Sequence, residues 1–258
     1  MKISRRRTLK LGLASLAGLG ATKIMPFAAR AQENGDTYPT DNGEITIHPI
    51  SHASFVMTIP NMVLYVDPVG GAEAYEGYPT PDLILITHEH GDHYEPETLS
   101  ALVGDQTRMV TNPAVYDMLP EDLKEIATSI SNGETTTVDD LEIEAIPAYN
   151  TTEDRLQYHP EGRDNGYVLT IDGRRVYIAG DTEDIPEMRA LSDIFIAFVP
   201  MNLPYTMDVE QASSAVAEFA PQYVYPYHYR DSDPEEFASN LSDAGASTEV
   251  IFGPWYDE

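Results

Sequence analysis

Three histidines and an aspartate lie within six consecutive positions of the segment 87–93, which reads Thr-His-Glu-His-Gly-Asp-His. Neutral imidazole nitrogens and carboxylate oxygens are ligands that zinc, iron and manganese accept in proteins. The segment follows a continuous apolar run, so His88 and His90, two residues apart at a strand end, are expected to point to the same side. The glycine after them is expected to let the chain turn, so that Asp92 and His93 face a second position nearby. This spacing predicts a site for metal ions.

Three more residues of the same chemical types follow predicted strands later in the chain. Asp67 ends one strand, and Asp181 follows another, after Gly180, which allows close approach of the backbone. His228 comes directly after a third strand. Two carboxylates and an imidazole at strand ends, in this order, are what a pair of metal ions needs to complete its coordination.

The elements that must position these residues are short strands and a few helices. The continuous apolar run 83–86 predicts a strand buried on both faces, whereas the alternation at 45–47 predicts a strand with one face in water. Turns are predicted at Pro60-Asn61 and at Asp172-Gly173. The predicted strands are 44–50, 54–59, 62–67, 83–86, 107–111, 141–146, 167–171, 175–179, 194–198, 223–227 and 248–252. The predicted helices are 96–103, 114–119, 209–219 and 234–244.

Strand-rich halves that are each followed by helices predict two sheets packed together with helices outside them. No internal repeat or low-complexity linker divides the chain. Residues 148–165 are expected to form a long polar loop, and loops of that length are usually functional. The segment 201–207, after another predicted strand, is expected to form part of a pocket wall.

The motif H-x-H-x-D-H and the strand-end residues resemble those of the metallo-β-lactamase superfamily of hydrolases, from about residue 44 to about residue 252. The resemblance implies an α+β fold, a four-layer αββα sandwich, with a two-metal site along one edge of the sheets. It therefore implies a single metallo-hydrolase domain over residues 44–258, preceded by a short linker at 32–43.

Ligand roles can be assigned from the resemblance, residue by residue. It implies that His88 and His90 bind the first metal ion, and that Asp92 and His93 bind the second. It also implies that Asp181 bridges the two ions and that His228 completes the second site. Asp67 resembles an aspartate of the family that supports the site rather than binding metal, and we assign the same supporting role to His52.

One position departs from the family pattern. The family usually supplies another histidine to the first metal ion directly after the strand that matches 141–146, but here residues 147–150 read Pro-Ala-Tyr-Asn. Asn150 is one replacement, through its amide oxygen. His159, from the loop 158–166, is the replacement we prefer. The A-Y-N pattern together with His159-Pro160 resembles a subgroup of metal-dependent hydrolases in which this loop lies near the site.

The resemblance implies hydrolysis by a hydroxide that bridges two divalent metal ions, zinc first, with manganese or iron as alternatives. Asp92 and Asp181 are the predicted catalytic residues, because they would hold the ions, orient the water and pass its proton to the leaving group. An ester, lactone, amide or phosphodiester is the expected type of substrate. Two other classes stay open: an iron oxidoreductase on the same fold, and a metal-binding protein without catalysis.

Charge and composition restrict the partners. The chain contains no cysteine, which excludes disulfides and thiolate metal ligands. Seven of its 15 basic residues lie in residues 1–31, so the other 227 residues hold eight basic and 43 acidic ones, a formal charge of −35. A surface this acidic argues against nucleic acid and favours a small-molecule substrate. It is typical of proteins from high-salt environments, or of an acidic surface kept for solubility.

The first 31 residues are typical of an export signal. Three arginines at 5–7 precede a short apolar run at 11–22 and the sequence Ala29-Arg30-Ala31. The paired arginines resemble a twin-arginine signal, which implies the twin-arginine export machinery as a partner. The apolar run is too short to span a bilayer, and no cysteine is present for a lipid anchor. We therefore expect cleavage after Ala31 and a periplasmic or extracellular protein.

Overall fold

A computed structural model describes residues 35–256. The predicted export signal at 1–31 lies outside the described residues. Fourteen strands and six α-helices are present in the described part, together with a short 3-10 helix at Ala72–Tyr75. None of the helices within residues 35–256 is both long enough and apolar enough to cross a membrane.

The strands form two sheets of seven, each in chain order. The first sheet contains β1 (Asp36–Pro39), β2 (Glu44–Ser51), β3 (Ser54–Ile59), β4 (Met62–Val66), β5 (Leu83–Leu85), β6 (Arg108–Thr111) and β7 (Ala127–Ser129). The second contains β8 (Thr135–Val138), β9 (Leu141–Ala148), β10 (Asp164–Ile171), β11 (Arg174–Ile178), β12 (Ile194–Pro200), β13 (Tyr223–Tyr227) and β14 (Glu249–Val250). In both sheets the first four strands pair antiparallel and the last four pair parallel.

Six α-helices lie on the outer faces of the sheets, where their apolar residues pack. They are α1 (Pro96–Leu102), α2 (Pro113–Met118), α3 (Glu121–Lys124), α4 (Pro186–Arg189), α5 (Val209–Phe219) and α6 (Pro234–Asp243). Asp208 caps α5 by accepting from the Gln211 backbone N–H at 2.7 Å, and the Gln211 side chain accepts from the Asp208 backbone, a reciprocal capping box.

Three groups of buried apolar residues confirm the predicted four-layer αββα sandwich. One group lies between the sheets and includes Phe55, which stacks on Phe198 with ring centroids 4.2 Å apart. A second joins the outer face of the second sheet to α4, α5 and α6. A third joins the first sheet to α1, α2 and α3. Burial of apolar surface at the three interfaces between these layers is the main stabilising contribution.

Both predicted turns are confirmed. Asn61 joins β3 to β4 with a φ of 68°, and Ile59 pairs with Met62 across the turn. Asp172 and Gly173 join β10 to β11 with φ values of 49° and 75°. Positive φ at both central residues is what a tight hairpin turn requires, since it matches the twist of the two strands.

Some boundaries predicted from sequence are wrong. Residues 36–39 of the predicted linker at 32–43 form an edge strand that pairs antiparallel with β2. The predicted loop at 148–165 is shorter than expected, because β9 continues to Ala148 and β10 begins at Asp164. The short elements α3, α4, β7 and β8 were not predicted. Segments of three or four residues carry too little periodicity to be recognised without their neighbours.

Candidate metal centre

Eight histidine and aspartate side chains converge at one end of the two sheets. They fall into two groups, and within each group the potential ligand atoms all lie within 4.8 Å of one another. The first cluster contains His88, His90, His159 and Asp181. The second cluster contains His52, Asp92, His93 and His228. Seven of the eight were predicted as ligands from the sequence, and the eighth, His52, was predicted as a supporting residue.

The segment after β5 supplies two residues to each cluster. The rings of His88 and His90 lie 4.7 Å apart in the first cluster, as their spacing predicts. A turn then brings the chain back, because the backbone N–H groups of His93 and Tyr94 both donate to the carbonyl of His90. The turn places His93 and Asp92 in the second cluster. Gly91 has no positive φ and open space around it, so the prediction that the turn depends on a glycine is wrong.

His159 reaches the first cluster from the loop between β9 and β10. The backbone N–H of Asn150, directly after β9, donates to the carbonyl of His159 at 2.8 Å, which ties the loop to the strand end. The His159 ring lies 4.9 Å from that of His88. The Asn150 side chain instead donates to the carbonyl of Tyr205 at 2.8 Å. His159 therefore lies in the first cluster, while the amide oxygen of Asn150 is buried and makes no hydrogen bond within the described residues.

Asp164 and Arg163 hold His159 in place, and sequence analysis missed both. The carboxylate of Asp164 lies 3.1 Å from Nδ1 of His159 and accepts two hydrogen bonds from the Arg163 guanidinium, at 2.7 and 2.8 Å. Arg163 also pairs with Glu89 at 2.8 Å. When Nδ1 of the neutral His159 ring donates to Asp164, its Nε2 carries no proton and is directed at the cluster. The sequence signal that could have identified these two residues is a charged pair close to a histidine in a loop.

Asp67 and Thr87 orient two other histidines, as expected of a supporting aspartate. Asp67 is fully buried and accepts from the backbone N–H and the hydroxyl of Thr87, at 2.8 and 2.7 Å. It also lies 2.8 Å from Nδ1 of His93. Because the Thr87 hydroxyl donates to Asp67, the Nδ1–H of His88, 3.0 Å away, donates to Thr87. In their neutral forms, which metal binding requires, both histidines therefore present an unprotonated Nε2 to the site.

Asp181 lies between the two clusters. Its carboxylate is 3.3 Å from Nε2 of His93 and from Nε2 of His228, 3.5 Å from Nε2 of His159 and 3.9 Å from Nε2 of His88. Gly180, directly before it, has a φ of 65°, and a Cβ atom there would lie 3.0 Å from Thr87. A glycine is thus needed for the close approach that brings Asp181 to the centre.

His52, within the second cluster, is paired with Asp92, a contact that fits the supporting role predicted for it. Its Nε2 lies 3.1 Å from the Asp92 carboxylate, and its Nδ1 lies 2.8 Å from the hydroxyl of Tyr256. Both ring nitrogens therefore have hydrogen-bond partners within the protein. His48 lies outside both clusters and is buried on β2, with its ring 5.3 Å from that of Tyr78.

Polar atoms without partners show that these residues fit metal ions. Nε2 of His88, His93, His159 and His228 and one oxygen of Asp181 are buried and make no hydrogen bond within the described residues. Buried polar atoms normally have partners, because leaving them unpaired costs about 1–3 kcal/mol each. Ligands of a tetrahedral zinc ion lie roughly 3.3 Å from one another. The separations around Asp181 are of that size.

The charged groups of the site change one another's pKa values. Burial lowers the pKa of His88 well below its usual value, and the neighbouring His93 lowers it further. Burial alone would lower the pKa of His93 and raise that of Asp181, but their mutual attraction reverses both effects. The pKa of Asp181 is held well below its usual value, chiefly by His228 and His93. Asp181 is therefore an ionised carboxylate in a buried site, which favours a cation.

A cavity of about 650 Å³ opens onto both clusters. Five residues of the clusters line it: His90, Asp92, His159, Asp181 and His228. The lining also includes residues 202–205, which lie within the segment 201–207 predicted to form part of a pocket wall, together with Tyr158, Arg230 and Asp231. The size suits a small molecule.

The loop that carries His159 is anchored by a second buried acid that sequence analysis missed. Glu183 is fully buried and accepts from the backbone N–H and hydroxyl groups of Thr151 and Thr152, at 2.7 to 3.0 Å. It also pairs with Arg155 at 2.8 Å, and Arg155 donates to the carbonyl of Thr206. These contacts join two loops that both contribute to the lining of the cavity.

Comparison with known families agrees with this geometry. A family model described as a beta-lactamase superfamily domain matches residues 46–228. Among curated relatives, a UPF0173 metal-dependent hydrolase of Pyrococcus abyssi is 30% identical over 208 residues, which cover 75% of this chain and 91% of the relative. A UPF0173 metal-dependent hydrolase of Thermococcus onnurineus is 31% identical over 220 residues, covering 77% and 93%.

Solved structures show the same architecture. A protein of Parabacteroides distasonis whose name places it among metal-dependent hydrolases is 45% identical, has a TM-score of 0.79, and matches 86% of this chain and 99% of its own. Igni18, a metallo hydrolase of Ignicoccus hospitalis, is 26% identical with a TM-score of 0.67, over 81% of this chain and 94% of its own.

Proposed function

We propose, from the premise that this chain belongs to the metallo-β-lactamase superfamily and to its UPF0173 metal-dependent hydrolases, that it uses two divalent metal ions to cleave a small ester, lactone, amide or phosphodiester. The chain is a metal-dependent hydrolase by that membership. The number of ions, their identity as zinc, and the substrate type are what the proposal adds. The A-Y-N and H-P patterns at 148–150 and 159–160 support a distinct subgroup within the family.

One observation carries the two-ion proposal: Asp181 lies within 3.9 Å of imidazole nitrogens from both clusters, and those nitrogens have no partner in the described residues. We assign His88, His90 and His159 to the first ion. We assign Asp92, His93 and His228 to the second ion, and Asp181 to both. His52 and Asp67 orient ligands.

Divalent ions bound there would supply an activated water and polarise a carbonyl or phosphoryl oxygen. Asp181 and Asp92 would hold the ions and orient the water. The side chain of Asp92 is 40% exposed whereas that of Asp181 is 3% exposed, so Asp92 is the carboxylate that can pass a proton to a leaving group in the cavity. His52 donates to Asp92 and keeps it directed at the site.

Size and charge support a small molecule as the partner, rather than nucleic acid. The cavity holds about 650 Å³, and the chain beyond residue 31 contains 43 acidic and only eight basic residues. A polyanion would be repelled by such a surface unless salt screens the charge.

A substrate screen with measured metal content tests the proposal. Purified protein is assayed against neutral and charged esters, lactones, amides and phosphodiesters, and its metals are quantified by inductively coupled plasma mass spectrometry. Two zinc or manganese ions per chain with hydrolysis of one class is the expected result. Iron with a visible absorption spectrum and no hydrolysis would favour an oxidoreductase, and one ion or none without hydrolysis would favour a binding protein.

Replacing Asp164 by asparagine is expected to weaken metal binding at the first site by about 10–100-fold, because a neutral amide oxygen accepts more weakly than the carboxylate that fixes the His159 ring. Competition with a chromophoric chelator measures the two affinities. Asp139→Asn, which changes an exposed carboxylate paired with Arg108, is the control and is expected to bind both ions like the original protein. Equal affinities in the Asp164 variant would show that His159 is not a ligand.

We also propose that this protein is exported through the twin-arginine machinery and has no membrane anchor. The support is the basic start and the short apolar run in residues 1–31. Expression in a twin-arginine-competent bacterium is expected to place a protein beginning at Gln32 outside the cytoplasm, as read by N-terminal sequencing of the exported fraction. Changing Arg5, Arg6 and Arg7 together to lysine is expected to stop export. Export that continues in this variant would contradict the assignment.

A further inference from the structure

Arg230 is the one basic side chain, among residues 35–256, that lines the cavity at the metal centre. Its side chain is 54% exposed, and Nη2 lies 3.9 Å from the carboxylate of Asp92. That separation is at the long end for an ion pair, and Asp92 is assigned to a metal ion. The guanidinium is therefore available to a molecule in the cavity.

The other basic side chains of the described part are engaged elsewhere. Six pair with carboxylates, and Arg174 lies over the ring of Phe195 at 4.6 Å. The six are Arg108, Lys124, Arg155, Arg163, Arg175 and Arg189. Placing one of so few basic residues beside the reaction centre is not expected from the composition of the chain.

The backbone fixes Arg230 at this place. His228 and Arg230 have φ values of 48° and 41°, a left-handed conformation that residues other than glycine seldom adopt. The turn is held because the backbone N–H of His228 donates to the carbonyl of His52, and that of Arg230 donates to the hydroxyl of Tyr256. Strain of this kind persists where the surroundings impose it, often at ligand sites.

Charge favours an anion next to the guanidinium. The cavity contains three carboxylates, those of Asp92, Asp181 and Asp231. Two divalent ions and Arg230 together exceed these three negative charges by two, so the bound site attracts anions although the rest of the surface repels them. Asp231 lies beside Arg230 in sequence and opposes this attraction.

Part of the cavity lining is apolar. Leu203 and Tyr205, which both line the cavity, are 50% and 43% exposed, and the ring of Tyr158 lies 4.9 Å from that of Tyr205. Neighbouring exposed apolar side chains in a cavity offer a contact surface for an apolar part of a ligand. The cavity lining therefore combines a cationic group at Arg230 with apolar side chains at Leu203 and Tyr205.

We propose that Arg230 binds an anionic group of the substrate, so that the enzyme prefers small esters or lactones that carry a carboxylate or phosphate a few bonds from the scissile carbonyl. An apolar part of the same molecule packs on Leu203 and Tyr205. This inference rests on the proposed hydrolysis and adds the charge of the substrate. A guanidinium suits either anion, because its paired N–H groups donate to two oxygens at once.

Three esters of p-nitrophenol with similar acyl shapes test the proposal: those of succinic, 3-phosphonopropanoic and 4-methylpentanoic acid. The first two are anionic and the third is neutral. At low ionic strength we expect a higher kcat/KM for at least one anionic ester, and the better of the two identifies the anion. Arg230→Gln is expected to lower the preference for that ester over the neutral one by about 10–100-fold, through KM, and Arg230→Lys by less.

Two control variants give the direction of the charge effect. Asp231→Asn is expected to raise the preference for the anionic ester, since a negative charge is removed from the same rim. Arg108→Gln, which removes a positive charge from an exposed pair with Asp139, is expected to leave the preference unchanged. Glutamine is used at 230 because a glycine would also relax the backbone at the positive φ.

The results separate this inference from the proposed function. If the neutral ester is cleaved as well as both anionic ones, or if Arg230→Gln lowers all three equally, the inference is wrong and the hydrolase assignment stands. If no ester is cleaved, calorimetric titration with succinate, methylphosphonate and neutral succinamide tests directly whether Arg230 binds an anion. Tighter binding of either anion, lost in Arg230→Gln, supports the inference; equal binding of anions and succinamide, or no binding at all, overturns it.

Discussion

Replacing Asp181 by asparagine is expected to reduce kcat/KM by about 10³-fold or more and to leave fewer than two metal ions per chain. Asparagine has nearly the same shape but no charge, so the change removes the one carboxylate that lies near imidazoles of both clusters. Several kcal/mol of transition-state stabilisation depend on the metal ions, which corresponds to a factor of that size. Steady-state kinetics on the best substrate and metal quantification on the same sample measure both effects.

The matched control is Asp139→Asn, at an exposed carboxylate paired only with the surface residue Arg108. Surface pairs contribute little to stability, so this variant is expected to match the original protein in activity and metal content. Circular dichroism checks that the Asp181 variant is folded. A folded Asp181→Asn protein with two ions and undiminished turnover would remove Asp181 from its bridging role.

Removing the metal ions with dipicolinate is expected to abolish hydrolysis and to lower the melting temperature by about 20 °C. Each ion, present at about 1,000 times its dissociation constant, stabilises the fold by about 4 kcal/mol, so two ions stabilise it by about 8 kcal/mol. In a domain of about 220 residues, each kcal/mol corresponds to about 2–4 °C. The loss is expected to be reversible, with activity and melting temperature restored by zinc or manganese.

The double variant His88→Ala, His90→Ala is the control for this experiment, since it lacks two of the assigned ligands. Its melting temperature is expected to respond much less to the chelator than that of the original protein. Differential scanning fluorimetry with and without dipicolinate makes the comparison. A metal-free protein that hydrolyses its substrate at the original rate would show that metal ions are not used in catalysis.

Much of this fold could be predicted from sequence because its strands have distinct patterns. The apolar run at 83–86 and the turns at Asn61 and Asp172-Gly173 fix strand identity and pairing locally. Site residues at strand ends were predictable for a related reason. The ends of the parallel strands β4 and β5 meet at one edge of the first sheet, so Asp67 and His88 had to lie near each other. Asp181 follows β11 of the second sheet and reaches them only because the two sheets pack face to face.

The parts that could not be predicted depend on contacts between distant segments. His159 reaches the first cluster only because Asn150 holds the loop by a backbone hydrogen bond and Asp164 fixes the ring. Nothing in the spacing of those residues requires either contact. Likewise, Arg230 lines the cavity because of a left-handed turn after His228, which the residue types there do not indicate.

Anomalous diffraction from crystals of the zinc-loaded protein, measured on both sides of the zinc absorption edge, tests the two-ion centre most directly. We expect two peaks roughly 3.5–4 Å apart, one beside His88, His90 and His159, the other beside Asp92, His93 and His228, with Asp181 between them. A single peak, or peaks that contact none of these side chains, would contradict the account.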